Sequence, residues 1–230
     1  MSELLLDNAV EVLRRGGLVA FPTETVYGLG ADATNSAAVA RIFAVKGRPL
    51  TNPLIIHVAS AAVAARYARP WPAAAEKLAD RFWPGPLTLI VAKSPDIVDE
   101  ATAGRPTVGL RSPDHPLALR LLKKFDGPLA GPSANRSMRV SPTTADHVYA
   151  ELGDHVDLIL DGGACRVGIE STVLDLTADV PTILRPGAVT QQQIEEVIGT
   201  VRLRQATVDP AIASISPGQH PIHYAPATPA

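Results

Sequence analysis

Residues 46–58 read Lys46-Gly47-Arg48-Pro49-Leu50-Thr51-Asn52-Pro53-Leu54-Ile55-Ile56-His57-Val58. The segment before them carries Val39, Ile42 and Phe43 at helical spacing, so Lys46 and Gly47 fall where a helix ends. Pro49 forbids continuation of the helix. An apolar run holding one histidine follows, the pattern of a buried strand. Two cations therefore sit on a helix-to-strand connection, with Asn52 and His57 presenting polar groups from the loop and the strand behind it. Such a set builds a pocket for an anionic ligand. The same two cations also suit a helix C-terminus on dipole grounds alone, so the flanking sequence has to decide.

The composition narrows the classes. A chain of 230 residues holds one large domain or two small ones. With 46% apolar residues and a formal charge of -2 it is an ordinary globular protein without a global basic field, so any nucleic-acid contact is local. Aromatic residues, at 4%, are too few for a base-stacking surface. Cys165 has no second cysteine to pair with, which fits a reducing compartment. The N-terminal segment is acidic and helical in pattern, and no apolar run reaches membrane-spanning length. A cytoplasmic protein without a membrane partner is expected.

On the N-terminal side, Ser2 caps a helix whose Leu5, Leu6, Ala9, Val10 and Leu13 share a face, and Gly16-Gly17 stops it. A strand is expected over residues 18–21. Phe21-Pro22-Thr23-Glu24-Thr25-Val26-Tyr27-Gly28-Leu29-Gly30 then reads as a loop with hydroxyls and a carboxylate beside exposed backbone. Residues 28–33 match the dinucleotide fingerprint formally, but Pro22 closes the strand too early and the next helix begins near Asn35 or Ser36. That motif needs strand, glycines and helix in direct succession, so the match is rejected.

On the C-terminal side, Ser60 opens an alanine-rich helix, and another runs over residues 72–83. Trp83-Pro84-Gly85-Pro86 turns as a structural corner into a strand over 87–92. Residues 107–111 form a strand delivering Arg111 at its end, before a helix opened by Ser112-Pro113-Asp114. The polar loop of residues 128–143 holds Ser133, Asn135, Ser137 and Ser141. Ser133 lacks the second glycine of a nucleophile elbow and has no persuasive histidine and acid partners; these hydroxyls and the amide read as phosphate and ribose ligands. Thr143 or Thr144 caps the next helix, strands follow over 156–161, 171–176 and 182–185, and Thr190 caps a helix through Ile198 before an edge strand at 200–204. Arg185 again ends a strand. His220 and His223 have no further ligands around them, so a metal site is not expected.

Strands alternating with helices, and polar loops recurring at strand ends, specify an α/β protein with one crevice. A P-loop is absent, so a nucleotide would be held by side chains. Lys46, Arg48, Arg111 and Arg185 supply charge-assisted hydrogen bonds of roughly 1.5–3 kcal/mol each, a set suited to a triphosphate.

Seven ordered motifs carry a resemblance: the run of residues 21–30, Lys46-Gly47-Arg48-Pro49 with Asn52-Pro53-Leu54, Trp83-Pro84-Gly85-Pro86-Leu87-Thr88, Val108-Gly109-Leu110-Arg111, the serine-rich loop from Pro132 to Thr143, Gly168-Ile169-Glu170-Ser171-Thr172-Val173, and Ile183-Leu184-Arg185-Pro186-Gly187. Over roughly residues 4–200 the chain resembles the YrdC-type threonylcarbamoyl-AMP synthases. The tail around Ser216-Pro217-Gly218 and His223-Tyr224-Ala225-Pro226 resembles the interdomain linker of their longer, two-domain members.

The resemblance implies a single YrdC-like domain over residues 1–204, a twisted mixed sheet flanked by helices with one large concave crevice. Residues 205–230 would be a linker tail folding back over the active site, and the chain stops where the second domain of the long forms begins. It implies joining of L-threonine, bicarbonate and ATP into threonylcarbamoyl-AMP and pyrophosphate, with Mg2+ on the phosphates and no protein metal cage. The product would pass to the tRNA threonylcarbamoyl transfer machinery, with only weak direct tRNA binding. By motif, Lys46, Arg48, Asn52, Thr107, Ser133, Asn135, Ser141, Arg185 and Tyr224 fall on the ATP side, Lys46 and Arg48 being catalytic. Thr25, His57, Arg111 and Ser171 fall on the threonine side. Met138 stands where the family usually has glycine. Two other readings are a carbamoyl-phosphate-dependent transfer domain on the same fold and a double-stranded RNA-binding module.

Overall fold

The computed structural model describes residues 3–204. Helix α1 (Glu3–Arg14) buries Leu6, Ala9, Val10, Val12 and Leu13 on one stripe. Strand β1 (Val19–Phe21) is buried on both faces, and its alternation sorts the core. Val19 and Phe21 join α1 and helix α6 (Pro116–Phe125) in one apolar layer, while Leu18 and Ala20 join the larger layer on the opposite face. A sheet covered on two sides is the arrangement that near-continuous apolar strands require.

Strand β2 (Gly28–Asp32) runs antiparallel to β1, with Phe21 opposite Gly28 and Val19 opposite Gly30. Helix α2 (Ser36–Lys46) is capped by the Asn35 side chain and ends on Gly47 at φ 60°, the left-handed position that glycine takes without cost. Strand β3 (Ile55–His57) follows. Helices α3 (Ala61–Arg66) and α4 (Ala73–Phe82) lead to β4 (Leu87–Ala92), a short α5 (Asp99–Thr102), and β5 (Thr107–Arg111). After α6 come β6 (Leu129–Ala130), α7 (Ala145–Leu152), β7 (Leu158–Ile159), β8 (Thr172–Asp175), β9 (Thr182–Arg185), α8 (Gln191–Ile198) and the edge strand β10 (Arg202–Leu203).

Among the described residues these strands form one mixed sheet in the order β10-β9-β8-β4-β5-β3-β6-β2-β1-β7. Strand β3 lies at its centre, parallel to β5 and antiparallel to β6. No helix among the described residues is long and apolar enough to cross a membrane.

Three local expectations need correction, and one short helix comes in addition. Residues 28–32 are strand and not loop, because their glycines let the chain lie flat against the ring opposite. Helix α5 carries no periodic signal in four residues; burial of Ala101 and Thr102 creates it. His115, not the preceding Ser-Pro-Asp, caps α6, its ring nitrogen accepting from the Leu117 N–H. The strand expected over 156–161 contracts to Leu158–Ile159, where β1 offers a parallel edge. The tail expected over 205–230, with Tyr224, His220 and His223, lies outside the described residues.

Candidate active site

The centre of the sheet fixes the site. In register, His57 of β3 lies beside Arg111 of β5 and Leu129 of β6. Registered neighbours share a face, and Leu129 packs in the same layer as Phe21, so His57 and Arg111 emerge on the Phe21 side. The edge of the His57 ring meets Phe21 at 5.4 Å between centroids and 86° between planes. A Cβ on Gly28 would stand 3.0 Å from the Phe21 ring, and one on Gly131 would stand 2.6 Å from His57 Cδ2. The glycines of the rejected fingerprint therefore serve the close approach of an aromatic ring to the sheet.

His57 Nε2 lies 3.1 Å from the Gly131 carbonyl oxygen. A carbonyl only accepts, so Nε2 carries the proton and Nδ1 is a lone-pair acceptor. Nδ1 is buried with no protein partner. Burial, reinforced by the Arg111 cation, pulls this histidine down to about 3. It is a neutral acceptor at physiological pH and a poor proton acceptor for a substrate amine.

Around this floor lies a partly open cleft. Thr23, Val26 and Gly28 of the β1–β2 hairpin and Gly131, Pro132 and Ser133 beyond β6 form one wall. Arg48, Arg111, Glu170 and Arg185 bring charge to it. A wider hollow of about 930 Å³ adjoins through Val26, Glu170 and Arg185 and includes Ser141. A second depression shares Ile55 with the cleft and holds Thr107 with Thr88 and Arg105. The expected nucleotide residues Ser141 and Thr107 thus lie in the neighbouring hollows, not in the central cleft.

Arg111 is the most firmly held cation. Its Nη2 pairs with Glu24 Oε2 at 2.8 Å, both side chains being nearly inaccessible, and donates to Thr25 Oγ1 at 3.0 Å. Its Nε donates to the Gly85 carbonyl at 3.3 Å. Glu24 Oε2 also accepts from the Asp114 N–H, so the carboxylate is fixed from two directions, while its Oε1 is buried without a partner. Thr25, fully buried, lies behind the wall and positions Arg111; Thr23 is the hydroxyl of this turn that lines the cleft.

Lys46 is placed differently from expectation. It is buried, does not line the cleft, and its Nζ donates to the carbonyls of Ser133 and Asn135. Burial first, then the like charge of Arg48, pulls Lys46 down to about 7. It ties the end of α2 to the serine-rich loop, and the Ser137 N–H donates back to the Lys46 carbonyl at 2.8 Å. Arg48 does line the cleft; its Nε and Nη2 donate to the Asn52 and Pro53 carbonyls at 3.2 and 3.0 Å. The side-chain oxygens of Asn52 and Asn135 are buried without partners. Asn135 Nδ2 meanwhile closes its loop onto the Arg136 and Arg139 carbonyls. Within that loop Met138 has φ 70°, a left-handed backbone that glycine takes without the cost a side chain meets there.

Ser171 is buried and reaches the site through Arg185, whose Nη2 and Nε donate to its Oγ at 3.1 Å and its carbonyl at 3.0 Å. Its Oγ also lies 2.8 Å from Thr88 Oγ1. Glu170 stands between Ser141, which donates to Oε1 at 2.9 Å, and Arg185, 3.5 Å from Oε2.

The structure therefore gathers Arg48, His57, Arg111, Ser133 and Arg185 on one cleft and sets Lys46, Thr25 and Ser171 one layer behind. Sequence reasoning missed Glu24, Thr23, Glu170 and the Gly85 carbonyl. Glu24 carried a signal, a lone carboxylate between two threonines in an apolar context; Glu170 carried the same signal before Ser171. Among the described residues no three metal-ligating side chains cluster.

Residues 11–187 match the model of the Sua5_yciO_yrdC family, described as "Telomere recombination". The threonylcarbamoyl-AMP synthase of Bacillus subtilis (strain 168) is 48% identical over 225 residues, covering 97% of this chain and 65% of the relative. That of Pyrococcus abyssi (strain GE5 / Orsay) is 48% identical over 219 residues, covering 95% and 64%. The crystal structure of P. abyssi Sua5 complexed with L-threonine superposes with a TM-score of 0.94 at 47% identity, covering 98% of this chain and 67% of that one. The chain spans less than two thirds of the length of the two curated relatives.

Proposed function

Because the chain belongs to the Sua5_yciO_yrdC family, we propose that it is an L-threonylcarbamoyladenylate synthase, joining L-threonine, bicarbonate and ATP with release of pyrophosphate. The observation that carries this reading is one cleft lined by three arginines that are held in different ways. Arg111, locked by Glu24, offers its guanidinium to an amino-acid carboxylate, with His57 Nδ1 as an acceptor for a substrate N–H or O–H. Arg48 and Arg185 serve a polyanion, with Ser133 on the same cleft and Ser141 and Thr107 in the adjoining hollows. That P. abyssi Sua5 forms a complex with L-threonine supports the choice of amino acid.

Threonine's amine adds to bicarbonate with loss of water, giving a carbamate that is already an anion. A carbamate oxygen then attacks the α-phosphorus, the bond to the β-phosphate oxygen breaks, and pyrophosphate leaves. No strong protein base is required, which accords with a histidine at about 3. Catalysis rests on alignment and on cations facing the developing charge. Arg48 acts on the phosphates; Lys46 acts through the Ser133–Asn135 wall that it holds, with Asn52 and Asn135 keeping acceptor oxygens for the nucleotide. Magnesium enters with the nucleotide as part of the substrate. Among the described residues a single carboxylate lines the cleft, Glu170, which fits an ion whose other ligands are phosphates and water. The catalytic unit lies within residues 1–204, and the product goes to a tRNA threonylcarbamoyl transfer step.

The test is pyrophosphate release from ATP and magnesium, with L-threonine and bicarbonate supplied singly and together. Release that requires both is expected. ATP binding without release under any combination would overturn the assignment.

A further inference from the structure

Among the described residues Glu170 is the one carboxylate that lines both the central cleft and the wider hollow beside it, and anion binding by itself gives it no task. It sits among Arg48, Arg111 and Arg185 on the path a triphosphate would take. It is also held there. Ser141 Oγ donates to one oxygen at 2.9 Å and Arg185 Nη2 lies 3.5 Å from the other, and the side chain is only 16% exposed. Ser141 belongs to the serine-rich loop and Arg185 ends β9, so the carboxylate cannot swing aside without releasing both. Its charge reaches across the site to Lys46, where it opposes the burial that lowers that ammonium.

A fixed negative charge beside a polyanion discriminates by the polyanion's metal content. Metal-free ATP meets direct repulsion from it in a partly desolvated cleft. When magnesium rides on the phosphates, part of their charge is cancelled and a cation faces the carboxylate, so the same group becomes neutral or attractive. Arg48 and Arg185 alone would favour the more highly charged, metal-free form. We propose that Glu170 is a specificity-determining residue that makes the cleft select metal-complexed ATP over free ATP. This rests on the cleft taking ATP, as proposed above.

The test is calorimetric titration of the full 230-residue chain with ATP plus magnesium and with ATP plus EDTA. The unaltered protein is expected to prefer the magnesium complex by roughly tenfold or more. In Glu170→Gln, which removes the charge and keeps an acceptor, the ratio is expected to fall toward parity, chiefly through tighter binding of metal-free ATP. Glu170→Asp, which keeps the charge, should retain the preference. Glu170→Ala is run in parallel so that a folding failure of one neutral variant leaves the other to decide.

Equal weakening of both forms in the neutral variants, with the ratio unchanged, would mean that Glu170 only positions Arg185 and Ser141, and would overturn the proposal while leaving the synthase reading intact. Absence of ATP binding in either form by the unaltered chain would overturn both.

Discussion

His57 shows how a single side chain is set by its surroundings. The Gly131 carbonyl fixes its tautomer, Phe21 fixes its ring plane, and burial beside Arg111 keeps it neutral. Its ordinary value is 6.5 and its value in the fold about 3. Between those limits the unfolded chain binds a proton that the native state does not, so stability rises with pH across the window. This contribution is complete above about pH 6.5 and is lost as pH falls toward 3. The slope is at most about 1.4 kcal/mol per pH unit. His57→Gln, which does not titrate, is expected to show a flatter acid limb when urea unfolding is followed from pH 7 to pH 4. An unchanged limb would mean that the ring is already charged, or exposed, in the native protein. The tautomer was not legible in the sequence, because Gly131 lies 74 positions away.

At the scale of elements, the ends of β1, β3, β5, β6 and β9 converge on the cleft. The turn between β1 and β2 is joined to the end of β5 by the Glu24–Arg111 pair. Both charges are out of water, so the pair holds these elements in place chiefly because leaving either partner alone is costly. Glu24→Gln is expected to destabilise the fold by about 3–5 kcal/mol, measured by denaturant midpoint, and to weaken L-threonine binding in the same variant. Recovery of stability when Arg111→Gln is added would identify the uncompensated guanidinium as the cause. The strands themselves were legible: residues 107–111 read as a strand ending in arginine, and so they are. The hairpin was not, because Gly28 and Gly30 resemble loop residues until Phe21 is seen lying across β2.

At the scale of the whole molecule, the cleft lies against the face of the central strands that also carries Phe21. Arg48 reaches it from a loop tied to its own backbone. Arg48→Ala is expected to lower pyrophosphate release by at least about a hundredfold while the melting transition remains cooperative, and near-normal turnover would remove Arg48 from the reaction. The sequence by itself determined the α/β class, nearly every helix and strand, and the delivery of cations to strand and helix ends, since proline, glycine and apolar period act over a few residues. Tertiary structure alone decided which of those cations face the cleft. Arg48, Arg111 and Arg185 line the cleft, whereas Lys46 is turned inward onto two carbonyls. The reason is that a buried charge goes where a partner can compensate it, and here the partners lie far away along the chain: Ser133 stands 87 residues from Lys46, and Thr25 stands 86 from Arg111.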